Sequence, residues 1–132
     1  MRSNLEFRSS ELSDTVSNEG TPRGEKVARL LAEQLPRHGF DVKEVFEEDW
    51  GWHVTVFNDA FPLWIGCGHY EEYDDGVLCF IEPRKPYVRR WLKRLPTAET
   101  VEKLATAVER VVQESGKARH TRWWTDEENA RG

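Results

Sequence analysis

Residues 50–82 read WGWHVTVFNDAFPLWIGCGHYEEYDDGVLCFIE, and this stretch decides the fold. β-Branched and aromatic residues gather in three short runs, 52–57, 61–68 and 77–81, with polar turn signals between them. That pattern predicts an antiparallel meander. A three-residue loop at Asn58-Asp59-Ala60 sets Phe57 opposite Phe61, Thr55 opposite Leu63 and His53 opposite Ile65. The alternate positions then pair Val54 with Trp64 and Trp52 with Gly66, so that an indole covers the bare backbone of a glycine. Residues 71–76 form the next turn, and residues 42–46 read as a short first strand at an edge.

In that register both faces of the sheet are apolar. One shows Phe57, Phe61, Leu63, Ile65, Val77, Cys79 and Ile81; the other shows Trp52, Val54, Val56, Trp64, Leu78 and Phe80. A solvated face would alternate with polar residues, so each side requires a cover. Helices serve one side, and further helix, the chain's tail or a partner serves the other.

The flanks supply the helices. Thr21-Pro22 reads as a hydroxyl cap followed by proline at the first helical position, and Val27, Leu30, Leu31 and Leu35 fall on one stripe. After Pro83 and Pro86, residues 87–95 resume helical spacing, with Val88, Trp91, Leu92 and Leu95 facing inward. Thr97 caps a last helix whose stripe is Val101, Leu104, Ala105, Val108, Val111 and Val112, ended by Gly116. Residues 117–125 carry Trp123 and Trp124, too apolar for a free tail, and are expected to dock as an edge strand or on the second sheet face. Residues 1–20 are rich in Ser, Asn and Glu and read as a disordered or loosely docked arm, although the alternation of Leu5 and Phe7 leaves room for an added strand. Residues 126–132 read as a frayed tail. The expected architecture is one α+β domain over residues 21–125: an N-terminal helix, a four-stranded meander, two C-terminal helices on the sheet and an optional short C-terminal strand.

Length and composition bound what such a domain does. At 132 residues, 33% charged and 38% hydrophobic, the chain fits a single rather polar globule. A net charge of −5 argues against nonspecific binding to nucleic acid or membrane. There is no long apolar run and no leader-like apolar segment, so a cytoplasmic address is the default expectation. The two cysteines, Cys67 and Cys79, read as buried thiols within strands; a one-residue change of register would bring them opposite each other.

Charge is unevenly placed. Alternate turns of a meander lie at the same end of the sheet. Glu47, Glu48 and Asp49 in one turn and Glu71, Glu72, Asp74 and Asp75 in the next but one are therefore expected to converge on one rim. Such a rim steers a basic protein partner, though it also serves solubility and protects strand edges. A basic block, Arg84, Lys85, Arg89, Arg90, Lys93 and Arg94 with Tyr87 and Trp91 interleaved, resembles a weak phosphate or nucleic-acid patch. Its helical spacing assigns Trp91 to the core.

Catalytic and metal signatures are missing from the sequence. His38, His53, His69 and His120 stand apart from one another, outside any zinc spacing, and the acidic turns do not fit an EF-hand loop. Gly66-Cys67-Gly68 is not a phosphate loop, because no Lys-Ser/Thr follows it. A Cys67 nucleophile paired with His53 or His69 is the weakest of the readings. No catalytic residue, cofactor or metal is expected. The leading expectation is a non-enzymatic protein-binding module, of the immunity-protein, inhibitor or secretion-chaperone kind, that takes a basic partner on its acidic rim and can dimerise through an apolar sheet face. The alternatives are a small-molecule site or enzyme lined by Trp52, Trp64, His53 or His69, and nucleic-acid binding through residues 84–94.

Overall fold

The computed structural model describes residues 1–14 and 21–125. In chain order the strands are β1 (Arg2–Arg8), β2 (Val42–Glu48), β3 (Gly51–Val56), β4 (Leu63–His69), β5 (Gly76–Glu82), β6 (Tyr87–Arg90), β7 (Lys93–Pro96) and β8 (Arg119–Thr125). The helices are α1 (Glu25–Gln34), extended by a 3-10 turn at Leu35–His38, and α2 (Ala98–Glu114). The expected meander forms, but within a larger, fully antiparallel sheet of six strands ordered β2-β3-β4-β5-β1-β8. β6 and β7 make a separate two-stranded hairpin. The class is α+β: a strand, a helix, six strands, a helix and a last strand, in place of the expected helix, four strands and two helices.

The first correction is the N-terminal arm. Residues 2–8 are an interior strand hydrogen-bonded to β5 on one side and β8 on the other. Leu5 and Phe7 are fully buried. Two alternating apolar side chains suffice here because both neighbours satisfy the strand's backbone. The segment 117–125, expected to dock, does so as the edge strand β8 beside β1. Residues 15–20 of the arm and the tail 126–132 lie outside the described residues.

The second correction is the register between β3 and β4. The ladder pairs Val56 with Leu63, Val54 with Ile65 and Trp52 with Cys67, one residue away from the expected register. Residues 57–62 form the turn, because Pro62 has no N–H to give a ladder. Phe57 points into solvent while Phe61 is buried. The slip re-sorts the faces. Trp52, Val54, Val56, Leu63, Ile65, Cys67, Val77, Cys79 and Ile81 now share one side with Leu5 and Phe7, and all are buried. Both helices cover that side: α1 lies over β2–β4, and α2 over β1 and β5. Cys67 and Cys79 sit opposite each other as free thiols.

The third correction is the helix expected over residues 87–95. Val88, Trp91, Leu92 and Leu95 have helical spacing, but the same spacing suits two four-residue strands round a two-residue turn. Val88 then faces Leu95 directly, as observed. Between Pro86 and Pro96 a helix would run little more than two turns, and the hairpin instead pairs the backbone of residues 87–90 with that of 93–96.

The remaining helices follow their stripes. Val27, Leu31 and Leu35 are buried and Leu30 is half-buried, Ala28 joining them in the core; Val101, Leu104, Ala105, Val108, Val111 and Val112 are all buried. α1 begins at Glu25 rather than at Pro22. Its start is held from a distance: the Asp14 carboxylate accepts the Gly24 N–H at 2.8 Å and the Lys26 N–H at 3.4 Å, and the Pro22 carbonyl accepts the Trp52 indole N–H at 3.1 Å. The Thr97 hydroxyl likewise ties α2 to its surroundings, donating to the Lys85 carbonyl.

Candidate functional site

Opposite the helices, the second face of β2–β5 carries an aromatic cluster. Phe46, His53 and Trp64 form a continuous stack, with ring centroids 4.4 Å apart for Phe46–His53 and 4.1 Å for His53–Trp64. Phe80 meets Trp64 edge-on at 5.6 Å, and Trp50 leans over both, 5.2 Å from Phe80 and 6.0 Å from Trp64. Gly66 lets this happen: a Cβ there would lie 2.1 Å from the tip of the Phe80 ring. The sequence-level idea that an aromatic ring covers this glycine holds, with Phe80 in place of Trp52. Arg84 lies 5.1 Å over the Phe80 ring and pairs with Glu82 at 2.7 Å. Among these rings Trp50 is the most open, at 46% exposure. No helix packs on this face among the described residues.

The acidic turns lie beside it. The β2–β3 and β4–β5 turns fall at the same end of the sheet, since β2 to β5 are consecutive and antiparallel. They also abut: a Cβ on Gly68 would come 3.4 Å from the Trp50 carbonyl oxygen. Glu47, Asp49, Glu71, Glu72 and Asp74 are exposed, and Glu48 is half-buried. Asp75 is different. It receives Arg8 at 2.9 Å and Arg119 at 2.6 Å, and these two guanidinium groups hold its carboxyl below the usual aspartate range. Asp75 is therefore an internal tie between β1, β5 and β8, and six carboxylates remain for the pole. Arg23 reaches the same region, donating to the Asp74 carbonyl at 3.1 Å. Glu72 accepts the Tyr70 hydroxyl at 2.6 Å, a bond that pushes the phenol's pKa up.

Desolvation by burial holds the His53 imidazole below its ordinary value of 6.5, outweighing the charges of Glu48 and Glu44, which flank Phe46 and pull the other way. Sequence reasoning missed Glu44, Phe46 and Trp50 as members of this surface. The one-residue register error had mixed the two faces, and Trp50 lies in the turn just ahead of β3.

The four residues expected to line a pocket are divided between faces. His53 and Trp64 belong to the open side, whereas Trp52 is buried against α1 and His69 contacts the Gly76 carbonyl at 2.9 Å beside Arg23. Cys67 and His53 lie on opposite faces of the sheet. The contact with Cys79, together with burial, pushes the Cys67 thiol well up, the opposite of what a nucleophile requires. No cluster of three or more metal-ligating side chains occurs among the described residues, and no helix is long and apolar enough to cross a membrane.

The basic block lies at the other end of the molecule. Arg84 is engaged with Glu82, and Arg94 lies 3.8 Å over the Tyr87 ring. Lys85, Arg89, Arg90 and Lys93 are exposed. Trp91, expected in the core, is 94% exposed. Between this hairpin and the β3–β4 turn is a cleft of about 810 Å³ bordered by Lys43, His53, Trp64, Arg89 and Arg90. No protein-family model, no curated protein and no solved structure matches this chain.

Proposed function

We propose that this chain is a non-enzymatic protein-binding module that takes a basic partner at its acidic pole. The supporting observation is the junction of two features: six carboxylates, at the end of β2 and in the β2–β3 and β4–β5 turns, share one end of the sheet with Trp50, the most exposed ring of the aromatic face. Carboxylates steer a cationic surface at long range, and exposed aromatic rings supply the desolvated contact that holds it. A small inhibitor of a cationic toxin, or a secretion chaperone, would combine the two in this way. In the experiment, partners are captured on the tagged chain from cells of its source, and association kinetics are then measured with each purified partner at several salt concentrations. Reversing Glu71, Glu72 and Asp74 to Lys is expected to slow association about tenfold or more at low salt and to flatten the salt dependence. Association at an unchanged rate overturns the reading. Asp75 is kept out of the reversal because its ion pairs hold strands together.

The cleft beside the hairpin favours a second reading, a site for a small anionic molecule. His53 and Trp64 form its wall, with Lys43, Arg89 and Arg90 at its border. A thermal-shift screen of carboxylated and phosphorylated metabolites tests it. Stabilisation that disappears in Lys43→Ala supports the site, and a flat response removes it.

A further inference from the structure

We propose that the β6–β7 hairpin is a finger that docks on an anionic lipid surface, inserting Trp91 and Leu92 at the headgroup boundary. Three observations carry this. At the turn, Trp91 is 94% and Leu92 96% exposed, and they touch no part of the core. Trp91 also has φ +60°, in the left-handed region where a glycine is at ease and a bulky side chain is strained. A tryptophan placed there strains the fold and returns no packing.

The second observation is the layering of charge. Arg90 pairs with Lys93 one position behind the tip, and Arg89 with Arg94 two positions behind it. At about 3.3 Å per residue, the cations form two rows within roughly 7 Å of the apolar tip. A bilayer surface is layered the same way, with phosphates outside and the acyl boundary beneath. A nucleic-acid duplex presents its phosphates outermost, and a single strand offers Trp91 a base but leaves Leu92 in water, so the order of layers favours lipid. The segment from Arg84 to Arg94 contains no acidic residue, although the whole chain has a net charge of −5. That makes the hairpin complementary to an anionic surface despite the overall negative charge.

The third observation is the hairpin's anchorage. Val88 and Leu95 face each other near its base, where Val88 packs against the core, and Thr97, just past the hairpin, donates its hydroxyl to the Lys85 carbonyl and its N–H to the Pro86 carbonyl. The finger lies beside the β3–β4 turn, at the pole opposite the carboxylates. Docking by the finger therefore directs the acidic pole away from the lipid.

Flotation of the full chain with vesicles tests this at low ionic strength. One set contains phosphatidylcholine alone and the other about one-third phosphatidylserine. The chain is expected to float with the anionic vesicles only and to release as salt is raised. Trp91→Gly with Leu92→Gly, which relieves the strained turn, is expected to abolish flotation. Arg90→Gln with Lys93→Gln is expected to lower partitioning roughly fivefold per cation removed. Glu71→Gln with Glu72→Gln should float at least as well as the unaltered chain, which separates failure here from failure of the acidic-pole reading. The proposal is overturned if the unaltered chain stays in solution with anionic vesicles, or if the tip variant floats equally well. It is also overturned if a mixed-sequence oligonucleotide binds more tightly than the vesicles and strips the chain from them.

Discussion

Gly24 and Gly39 both sit at positive φ, yet they answer to different constraints. At Gly39, with φ +88°, an added Cβ would have nothing within 4 Å. At Gly24, with φ +120°, the added Cβ would lie 2.3 Å from the Cys67 carbonyl oxygen. Only a bare α-carbon lets α1 start so close to β4. Gly39→Ala is therefore expected to cost about 1 kcal/mol, the conformational term alone. Gly24→Ala should cost roughly 2–4 kcal/mol, because backbone must move as well. Urea denaturation of the two variants side by side checks the difference. His53 offers a second prediction at this scale. Its folded-state pKa lies below the value of 6.5 that the unfolded chain would show, so the unfolded chain takes up the proton first. Stability from this group is complete above that value and is lost as pH falls through it. Glu102 acts in a lower window. Burial pushes its carboxyl up, but the Arg2 backbone N–H and guanidinium outweigh that and hold it below 4.5, so its contribution is lost only in more acid solution. Denaturation measured from pH 8 to about 3 should show a decline below about pH 6.5 that flattens in His53→Gln, with the steeper loss near pH 4 retained.

At the scale of elements, the hairpin and the interior strand show what local pattern can and cannot reveal. Trp91→Gly removes a strained, solvent-exposed side chain, and the folded protein is expected to be as stable as before or up to about 1 kcal/mol more so. A thermal or urea melt decides it; marked destabilisation would mean that the indole packs somewhere. The α2 stripe was legible because its apolar period runs over several turns, leaving no competing reading. Residues 88–95 were not, since an i, i+7 pair on a helix and a cross-strand pair in a hairpin use the same spacing. β1 was not legible for another reason. Its partners, β5 and β8, are remote in sequence, and a strand with two apolar residues has no local sign of being interior. The meander was read correctly in order but not in register, because the ladder stops at Leu63 and excludes Pro62.

For the whole molecule, charge and apolar surface divide into two poles and two faces. The convergence of acidic turns could be read from sequence because it follows from strand alternation alone, which a register slip leaves intact. Which rings share a face could not, since a slip of one residue exchanges every side chain between faces. The helices cover one side of the sheet, leaving the Phe46–His53–Trp64 stack on the other, with the carboxylates and the basic finger at opposite ends. The position of β1 has a mechanical consequence. Arg2 pairs with Thr125 across antiparallel neighbours, so handles attached at these two residues would pull on the same end of adjoining strands. Load applied there opens the β1–β8 ladder like a zipper, one rung at a time. The same load applied at Arg2 and Arg119 would have to shear its rungs together.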